Sequence, residues 1–271
     1  MNHFLPLIAL CIVTIGVCSC KRAKVAQIVD DELNQDICSL TGGEVDSFQT
    51  KKGTSVDIFS VKHGSLIIRI GGKYIYVDPV GKGAQPATDY SAFPEADYIL
   101  VTHDHGDHLD TDAVSQLEKE GTKVLCNEGS VGKLSGIIAE TDVIQLHNGD
   151  GITTDEGWNI DAVPAYNISQ EKLNFHPQGH GNGYVISIEG LRIYVAGDTE
   201  DIPEMADLKD VDVAFLPCNL PYTMTPEQCA AAARMFSPKV LFPYHYGETE
   251  IQTLVTLLSD TGIDVRIRSY K

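Results

Sequence analysis

Basic residues are scarce in this chain. Lysine and arginine together number 20, against 38 aspartate and glutamate residues, and the formal charge is −18 at pH 7. A protein that binds nucleic acid needs a basic surface to neutralise phosphates. The composition therefore argues against DNA and RNA as partners.

Several familiar catalytic signatures are also missing. The chain has no Gly-x-Ser-x-Gly nucleophile elbow, and the glycines within residues 179–183 lack the Lys-Ser/Thr of a phosphate-binding loop. It has no Cys-x-x-Cys pair, so no cysteine is expected to bind a metal. Serine-based and phosphate-loop mechanisms are therefore not expected.

The N-terminal apolar run, residues 4–18, has the length of a signal peptide and is short for a membrane span. It ends in Val17-Cys18-Ser19-Cys20, which resembles a bacterial lipoprotein box. We therefore expect residues 1–20 to be a lipoprotein signal peptide, with cleavage before Cys20 and lipid attached to its sulfur. The protein would then be exported and membrane-anchored, on the periplasmic or cell-envelope side. An ordinary cleaved signal and an uncleaved anchor are the alternatives.

Residues 21–54 are polar with little periodicity, which predicts a tether containing one short helix near residues 31–40. The catalytic domain is expected to cover residues 55–271. Besides the lipidated Cys20, four cysteines would remain after export: Cys38, Cys126, Cys218 and Cys229. They could pair in an oxidising compartment, and their connectivity stays open. Cys126 and Cys218 lie in apolar strand-like stretches, where we expect buried small hydrophobic residues.

Four potential metal ligands directly follow one predicted strand. Residues 98–101 are apolar and β-branched, as in a buried strand, and the next positions supply ligands in the order His103, His105, Asp107 and His108. Alternation along a strand would place the first two histidines on one face, and Gly106 permits a turn that brings the other two round. Nitrogen and carboxylate ligands fit zinc and, less selectively, manganese or iron. This spacing suits two adjacent metal ions better than one.

The chain repeats its own plan. Residues 70–77 are similar to 188–195, residues 96–101 to 211–216, and residues 123–125 to 239–241, in the same order. A helix is expected between the last two blocks of each copy, over residues 111–120 and 225–236. The second helix begins with a capping box: Thr225 is the cap, Pro226 takes the first helical position and Gln228 completes the box. We also expect strands over 56–61, 65–70 and 74–78, a helix over 248–260 and a last strand over 263–269. The pattern predicts an α+β protein of two similar halves, stacked as a four-layer αββα sandwich.

Two further ligand types end predicted strands. Asp198 lies in Gly197-Asp198-Thr199 after residues 193–196, and His245 follows residues 240–244. Because His103 also stands at a strand end, all three are expected to converge on one locus between the halves.

Residues 102–110, 194–199 and 243–247 together resemble the first, fourth and fifth conserved motifs of the metallo-β-lactamase superfamily of metal-dependent hydrolases. Asp78-Pro79 resembles its usual opening, and the similarity covers about residues 56–271. Within the superfamily the chain looks like small bacterial hydrolases of the ascorbate-phosphate lactonase type. The N-acyl-phosphatidylethanolamine phospholipase D group is a more distant likeness.

The resemblance implies a set of metal ligands and leaves the identity of one of them, the ligand of the third motif, open. His103 and His105 would hold the first metal ion, with Asp198 bridging to a second ion held by Asp107, His108 and His245. The third motif usually places a histidine after a strand such as residues 159–165, where this chain has Asn167 instead. We expect His176 to take this role, with His180 and Asn167 as alternatives. The remaining histidines, His3, His63 and His147, are assigned no metal.

The implied reaction is hydrolysis by a hydroxide that bridges two divalent ions, with zinc favoured over manganese or iron. The expected catalytic residues are Asp107, which would orient the hydroxide and take its proton, and a loop donor that would stabilise the oxyanion, namely His180, Asn182 or Tyr246. The substrate would be a small molecule, with a lactone or ester, a phosphodiester or phospholipid head group, and an amide as candidates. The alternatives are a metal-binding lipoprotein without turnover and a di-iron redox protein. The oligomeric state is not readable from these residues.

Overall fold

Two seven-stranded sheets dominate the computed structural model, which describes residues 34–85 and 87–270. The first sheet contains β1 (Val45–Gln49), β2 (Ser55–Lys62), β3 (Ser65–Ile70), β4 (Lys73–Val77), β5 (Tyr98–Leu100), β6 (Lys123–Cys126) and β7 (Val143–Gln145). The second contains β8 (Gly151–Thr153), β9 (Asn159–Ala165), β10 (Gly181–Ile188), β11 (Leu191–Val195), β12 (Val213–Pro217), β13 (Val240–Tyr244) and β14 (Asp264–Val265). Helical segments are α1 (residues 34–41), α2 (Thr111–Leu117), α3 (Glu128–Leu134), α4 (Pro226–Phe236) and α5 (Thr253–Leu257). The signal peptide and Cys20 lie outside the described residues.

The two sheets have the same internal order of pairings. In the first, β1 to β4 pair antiparallel in sequence, and β4 to β7 pair in parallel. In the second, β8 to β11 are antiparallel neighbours and β11 to β14 are parallel neighbours. The predicted two-half plan is confirmed, because three short similarities in one order reflect one repeated supersecondary unit.

Each sheet is covered on both faces, as the alternation along β3 illustrates. Leu66 and Ile68 pack in the core between the two sheets, whereas Ile67 faces the other way and packs in a second core with Val114 and Leu117 of α2. Successive side chains of a strand point to opposite faces, so a strand buried on both sides reads as a continuous apolar run. On the outer side of the second sheet, Ala233 and Phe236 of α4 join the inter-sheet core cluster. The layers are helix, sheet, sheet and helix, which confirms the predicted αββα sandwich.

Local signals predicted the strands well and the helix ends less well. The capping box of α4 is present, since Gln228 N donates to Thr225 Oγ1 (3.2 Å) and Thr225 N donates to Gln228 Oε1 (3.0 Å). The helix expected over 111–120 ends at Leu117, and only Thr253–Leu257 of 248–260 is α-helical. The last strand is likewise reduced to Asp264–Val265.

The tether prediction is corrected for its described part, residues 34–54. Residues 34–41 are helical with Ile37 buried, and β1 pairs antiparallel with β2 along its whole length. Asp46 of β1 accepts hydrogen bonds from Arg266 Nη1 (3.0 Å) and Arg268 Nη2 (2.8 Å) near the C-terminus. The buried Asp46 carboxylate is tolerated because these distant arginines satisfy it, and the polar residues 45–49 form an edge strand of the sheet rather than a tether.

The four described cysteines are free thiols. Cys126, Cys218 and Cys229 are buried and Cys38 is half-buried, so the expectation of buried small residues at Cys126 and Cys218 is confirmed. Within residues 34–85 and 87–270, no helix is both long enough and apolar enough to cross a membrane.

Candidate metal centre

The residues predicted to bind metal meet at one edge of the two sheets. The His-x-His-x-Asp-His segment follows β5, Asp198 follows β11 and His245 follows β13, all at carboxyl ends of parallel strands. His245 Nε2 lies 3.5 Å from Asp198 Oδ2, and His108 Nε2 lies 3.5 Å from Asp198 Oδ1. Residues from both halves therefore converge, as expected.

One group of possible ligands consists of His103, His105 and His176, whose ligand atoms lie within 4.8 Å of one another. His103 Nε2 is 3.0 Å from His105 Nδ1, and His176 Nε2 is 3.1 Å from Asp198 Oδ2. Of the three residues considered for the open position, His176 belongs to the cluster. His180 pairs with Asp104 (2.8 Å), and Asn167 Nδ2 lies 3.1 Å from the second ring nitrogen, Nδ1, of His176.

A second group consists of Asp107, His108, His245 and His63, again within 4.8 Å. His63 Nε2 lies 3.0 Å from Asp107 Oδ2, and the ring centroids of His63 and His245 are 3.7 Å apart. His63, to which no metal was assigned from the sequence, therefore lies within the cluster of possible ligands. Its backbone is tied in place by two hydrogen bonds, from His63 N to Tyr270 O (2.6 Å) and from His245 N to His63 O (3.0 Å).

A signal for His63 was present in the strand order. β2 is antiparallel to β3, and β3 is antiparallel to β4, so β2 runs in the same direction as β4. The residue directly after β2 must therefore lie at the same sheet edge as the loops after β4 and β5. A histidine in a hairpin loop, without a ligand motif around it, gave no local reason to expect this.

Asp198 connects the two groups. With His103 and His108 it forms a third set of ligand atoms within 4.8 Å, so its carboxylate lies between the two clusters. The side chain is nearly fully buried. A carboxylate with two oxygens in this position can contact a cation on either side.

The unpaired polar atoms of the cluster fit a bound cation. His108 Nε2, His245 Nε2 and Asp198 Oδ1 are buried and have no hydrogen-bond partner among the described residues. Buried polar atoms without partners cost free energy, and these three lie together at the centre of the cluster. Imidazole nitrogens and carboxylate oxygens are the donors that zinc, manganese and iron take. The His/Asp cluster can therefore hold metal ions.

The electrostatics of the cluster favour the same conclusion. Burial and the neighbouring His108 lower the pKa of His103 well below its ordinary value, so this imidazole stays neutral and keeps a lone pair available. Burial opposes ionisation of Asp198, yet His245 and His108 hold its pKa well below the usual range. His103 is thus a neutral nitrogen donor beside the ionised carboxylate of Asp198. At His108, by contrast, burial is outweighed by Asp198 and Asp78, which raise the pKa of this imidazole well above its ordinary value.

Polar side chains behind the cluster orient the histidines. His108 Nδ1 lies 2.8 Å from Asp78 Oδ2, and Asp78 also accepts from Thr102 N (2.8 Å) and Thr102 Oγ1 (2.7 Å). The side-chain amide of Asn219 lies 3.1 Å from His245 Nδ1. Such partners on the second ring nitrogen set the orientation of a ligating histidine.

A buried carboxylate explains how His176 reaches the site eleven residues after β9 ends. Glu200 accepts from Ile168 N (2.8 Å), Ser169 N (2.6 Å) and Lys172 Nζ (2.8 Å). These donors outweigh burial and lower the pKa of Glu200 to about 2. The loop that carries His176 is therefore wrapped around a carboxylate that follows β11.

The predicted loop donors each have another partner in the structure. His180 Nε2 lies 2.8 Å from Asp104 Oδ1, outside the cluster. Tyr246 donates its hydroxyl to Arg268 O (2.8 Å), and Asn182 Nδ2 donates to Leu146 O (2.9 Å). Each polar group is committed to a partner that sequence proximity to the motifs did not reveal.

The cluster lines a cavity of about 340 Å³. Its wall contains both aspartates of the cluster, several of the histidines and three residues from neighbouring loops. The lining residues are His63, His105, Asp107, Phe175, His176, Asp198, Asn219, Tyr222 and His245. A small molecule entering it would therefore meet the metal centre directly.

An αββα sandwich with a His/Asp cluster at the strand ends defines a metallo-β-lactamase-fold hydrolase, and residues 73–246 match the beta-lactamase superfamily domain. The chain belongs to this superfamily and, within it, to the UPF0173 metal-dependent hydrolases. It is 34% identical to one of these from Thermococcus kodakarensis, over 68% of this chain and 81% of the relative. It is 32% identical to another from Anoxybacillus flavithermus, over 76% of this chain and 95% of the relative. The protein is a metal-dependent hydrolase.

Solved structures agree. A candidate metal-dependent hydrolase from Parabacteroides distasonis is 50% identical, with a TM-score of 0.78 over 84% of this chain and 100% of that one. A metallo hydrolase from Ignicoccus hospitalis, 24% identical with a TM-score of 0.60 over 83% of this chain and 95% of that one, shares the fold.

Proposed function

We propose that the protein is a dinuclear hydrolase of small esters or lactones, with phosphodiesters as the second substrate class. One observation carries the proposal: two groups of ligand atoms, each within 4.8 Å, lie on either side of Asp198. His103, His105 and His176 would hold one divalent ion and Asp107, His108 and His245 the other, with His63 supporting Asp107. Zinc is favoured, and manganese or iron fits the same donors.

When bound, a divalent ion lowers the pKa of its water from 15.7 to about 7 and so makes a nucleophile available at neutral pH. Asp107 is the carboxylate of the cluster that the cavity exposes, with a side chain 40% accessible. It would orient the attacking water and accept its proton. His63, 3.0 Å from Asp107 Oδ2, would hold that carboxylate in place. Asp198 is buried and would contribute charge rather than proton transfer.

We also propose that the protein is exported and anchored to a membrane by lipid on Cys20. The Val17-Cys18-Ser19-Cys20 sequence and the preceding apolar run support this. Mass spectrometry of the protein isolated from membranes should find an N-terminal lipidated Cys20. Recovery of Cys20→Ala in the soluble fraction would agree, whereas an unmodified N-terminus would contradict the anchor.

The metal assignment is tested by metal content of the full-length protein. Wild type and His180→Ala should each carry two metal ions per chain, because His180 lies outside the cluster. His176→Ala should lose about one ion, and His63→Ala should bind its second ion about 10- to 100-fold more weakly. Equal metal content in His176→Ala and His180→Ala would contradict the ligand set.

The reaction class needs a separate measurement. Ester, lactone, phosphodiester and amide substrates are offered to the metal-loaded enzyme, and hydrolysis of esters or lactones is expected to be fastest. Full metal loading without hydrolysis of any of them would favour a metal-binding role. An iron spectrum with redox activity would favour a redox protein.

A further inference from the structure

We propose that Phe175 and Tyr222 form a recognition subsite for an uncharged aromatic group of the substrate, next to the metal centre. The proposal rests on the proposed function and names the substrate class more closely. It begins from where the exposed apolar side chains lie. Seven large hydrophobic residues of the described chain are exposed, and four of them, Ile168, Phe175, Leu220 and Tyr222, belong to the two loops beside the cavity. Clustered exposed apolar surface marks a binding site.

Two of these side chains line the cavity itself. Phe175 and Tyr222 are 36% and 44% exposed, and their rings meet edge to face with centroids 5.0 Å apart. The loops they come from follow β9 and β12, and both exposed rings border the cavity. A third ring can pack against such a pair in the offset or edge-to-face geometry that aromatic rings prefer.

The rings are held at a defined place relative to a metal ligand. Phe175 directly precedes His176, whose Nδ1 lies 3.1 Å from the amide of Asn167. The same amide donates to Tyr222 O (2.8 Å) and to Lys172 O (3.1 Å). The Asn167 side chain thus connects the loop of Phe175 and the loop of Tyr222 to the possible metal ligand His176. A substrate ring bound here has its scissile group placed at the metals without further ordering of the loops.

The described side chains around the two rings offer no cationic partner of the lysine or arginine type to an anionic substrate group. Among the cavity-lining residues there is no lysine or arginine, while two are aspartates. Lys172 is buried behind the wall, where Nζ donates to Glu200 Oε1 (2.8 Å) and Thr223 O (2.7 Å). A phosphate or carboxylate bound at the two rings, rather than at the metals, would therefore find no lysine or arginine among the cavity-lining residues to pair with. The subsite therefore fits an aryl ester or a benzo-fused lactone better than a phosphorylated lactone.

A matched pair of lactones tests the subsite. Dihydrocoumarin and δ-valerolactone have the same six-membered lactone ring, and only the first carries a fused benzene ring. The quantity measured is the ratio of kcat/KM for the two in the full-length, metal-loaded protein. Dividing the ratio of each variant by that of the wild type cancels the difference in intrinsic reactivity.

Phe175→Ala and Tyr222→Ala should each lower this ratio about tenfold, mainly through KM for dihydrocoumarin, because each removes one ring face. Phe175→Leu should lower it less, since it keeps apolar area. Metal content and δ-valerolactone turnover should stay within about threefold of wild type. Val255→Ala, which removes an exposed apolar side chain away from the cavity, is the control and should leave the ratio unchanged. An unchanged ratio in both alanine variants, with metals bound, overturns the subsite.

A binding measurement separates this inference from the reaction class. Benzohydroxamate and acetohydroxamate share the metal-binding group and differ in the ring. Calorimetry on metal-loaded wild type should show tighter binding of benzohydroxamate, by about tenfold, and the advantage should fall in Phe175→Ala. If this holds while no lactone is hydrolysed, the subsite stands and the proposed reaction fails. Equal affinity, or no measurable binding of either compound, overturns the subsite.

Discussion

The two halves of the molecule begin from the same framework. In the first, Asp97 precedes β5, accepts a hydrogen bond from Tyr74 N (2.9 Å) and donates its own N–H to Tyr74 O (2.9 Å). In the second, Asp212 precedes β12 and makes both bonds with Arg192, at 2.8 and 2.9 Å. Each aspartate therefore links the start of one parallel strand to the start of the next. The two halves share this pair of hydrogen bonds as well as the strand order.

The halves diverge where the strands end. Asp78 follows β4 directly, is fully buried and supports His108 from behind. In the second half the corresponding position is Ala196, and the carboxylate comes two residues later, at Asp198. Gly197 between them has a positive φ of 66°, and a Cβ there would lie 3.0 Å from Asn182 O and 3.1 Å from Thr102 Cβ. The longer turn, which requires glycine, moves the carboxylate from a supporting position to the metal centre.

The largest effect on activity and metal binding should come from replacing the charged carboxylates of Asp198 and Asp78 by uncharged amides. Asp198→Asn removes a charge from between the clusters and should lower kcat/KM by about a thousandfold or more, with loss of bound metal. Asp78→Asn should weaken metal binding only about 10- to 100-fold and recover at high metal concentration, as expected of a supporting residue. Activity titrated against metal concentration distinguishes them. Equal, metal-recoverable defects would remove the distinction between the halves.

A smaller but still large effect is expected from the carboxylate two residues further on. Glu200→Gln leaves Lys172 buried without its ion partner and should lower the free energy of unfolding by about 3 kcal/mol. The position equally distant from the end of β4 is Lys82, whose side chain is exposed in a surface ion pair with Asp112. Lys82→Gln is therefore the matched control and should change stability by less than about 1 kcal/mol. Urea unfolding measures both, and similar losses would contradict an organising role for Glu200.

The smallest effect is expected at Asp97 and Asp212, the aspartates whose backbone hydrogen bonds the two halves share. Asp97→Asn and Asp212→Asn should each destabilise the protein by about 1–2 kcal/mol at pH 7, because each weakens the same backbone hydrogen bond and loses a lysine partner. Burial opposes ionisation of Asp97, yet Tyr74 N, Lys119 and Lys73 hold its pKa below the ordinary value. Its stabilisation is therefore complete above the unfolded-state pKa of about 4 and is lost as pH falls further.

The difference in unfolding free energy between wild type and Asp97→Asn should accordingly shrink below about pH 4. Urea melts from pH 7 to pH 3 give this difference directly. A gap that is constant or widens towards acid would show that the charge of Asp97 is not what stabilises the strand starts.

Sequence patterns predicted those parts of the site whose geometry is local. His103, His105, Asp107 and His108 lie within six positions, so one strand end and one turn place them together whatever the rest of the chain does. Asp198 and His245 were found because they end strands in a repeated plan. The choice of His176 over His180 needed the long-range contacts of Glu200 with the loop.

Sequence proximity misled where a polar group had a distant partner. Tyr246 lies next to His245, yet its hydroxyl donates to Arg268 O. The edge strand β1 looked like a tether because Asp46 is neutralised by Arg266 and Arg268, more than two hundred residues away. Composition within a short segment carries no information about such partners.

The sequence by itself determined the two-half αββα architecture and most of the residues of the His/Asp cluster, because alternation, caps and motif spacing are properties of neighbouring residues. Only the tertiary structure decided that His63 belongs to the metal centre and that Phe175 and Tyr222 border its cavity. These positions depend on strand direction and on loops tied together by buried side chains. Contacts of that kind join residues far apart in the chain, and no local pattern specifies them.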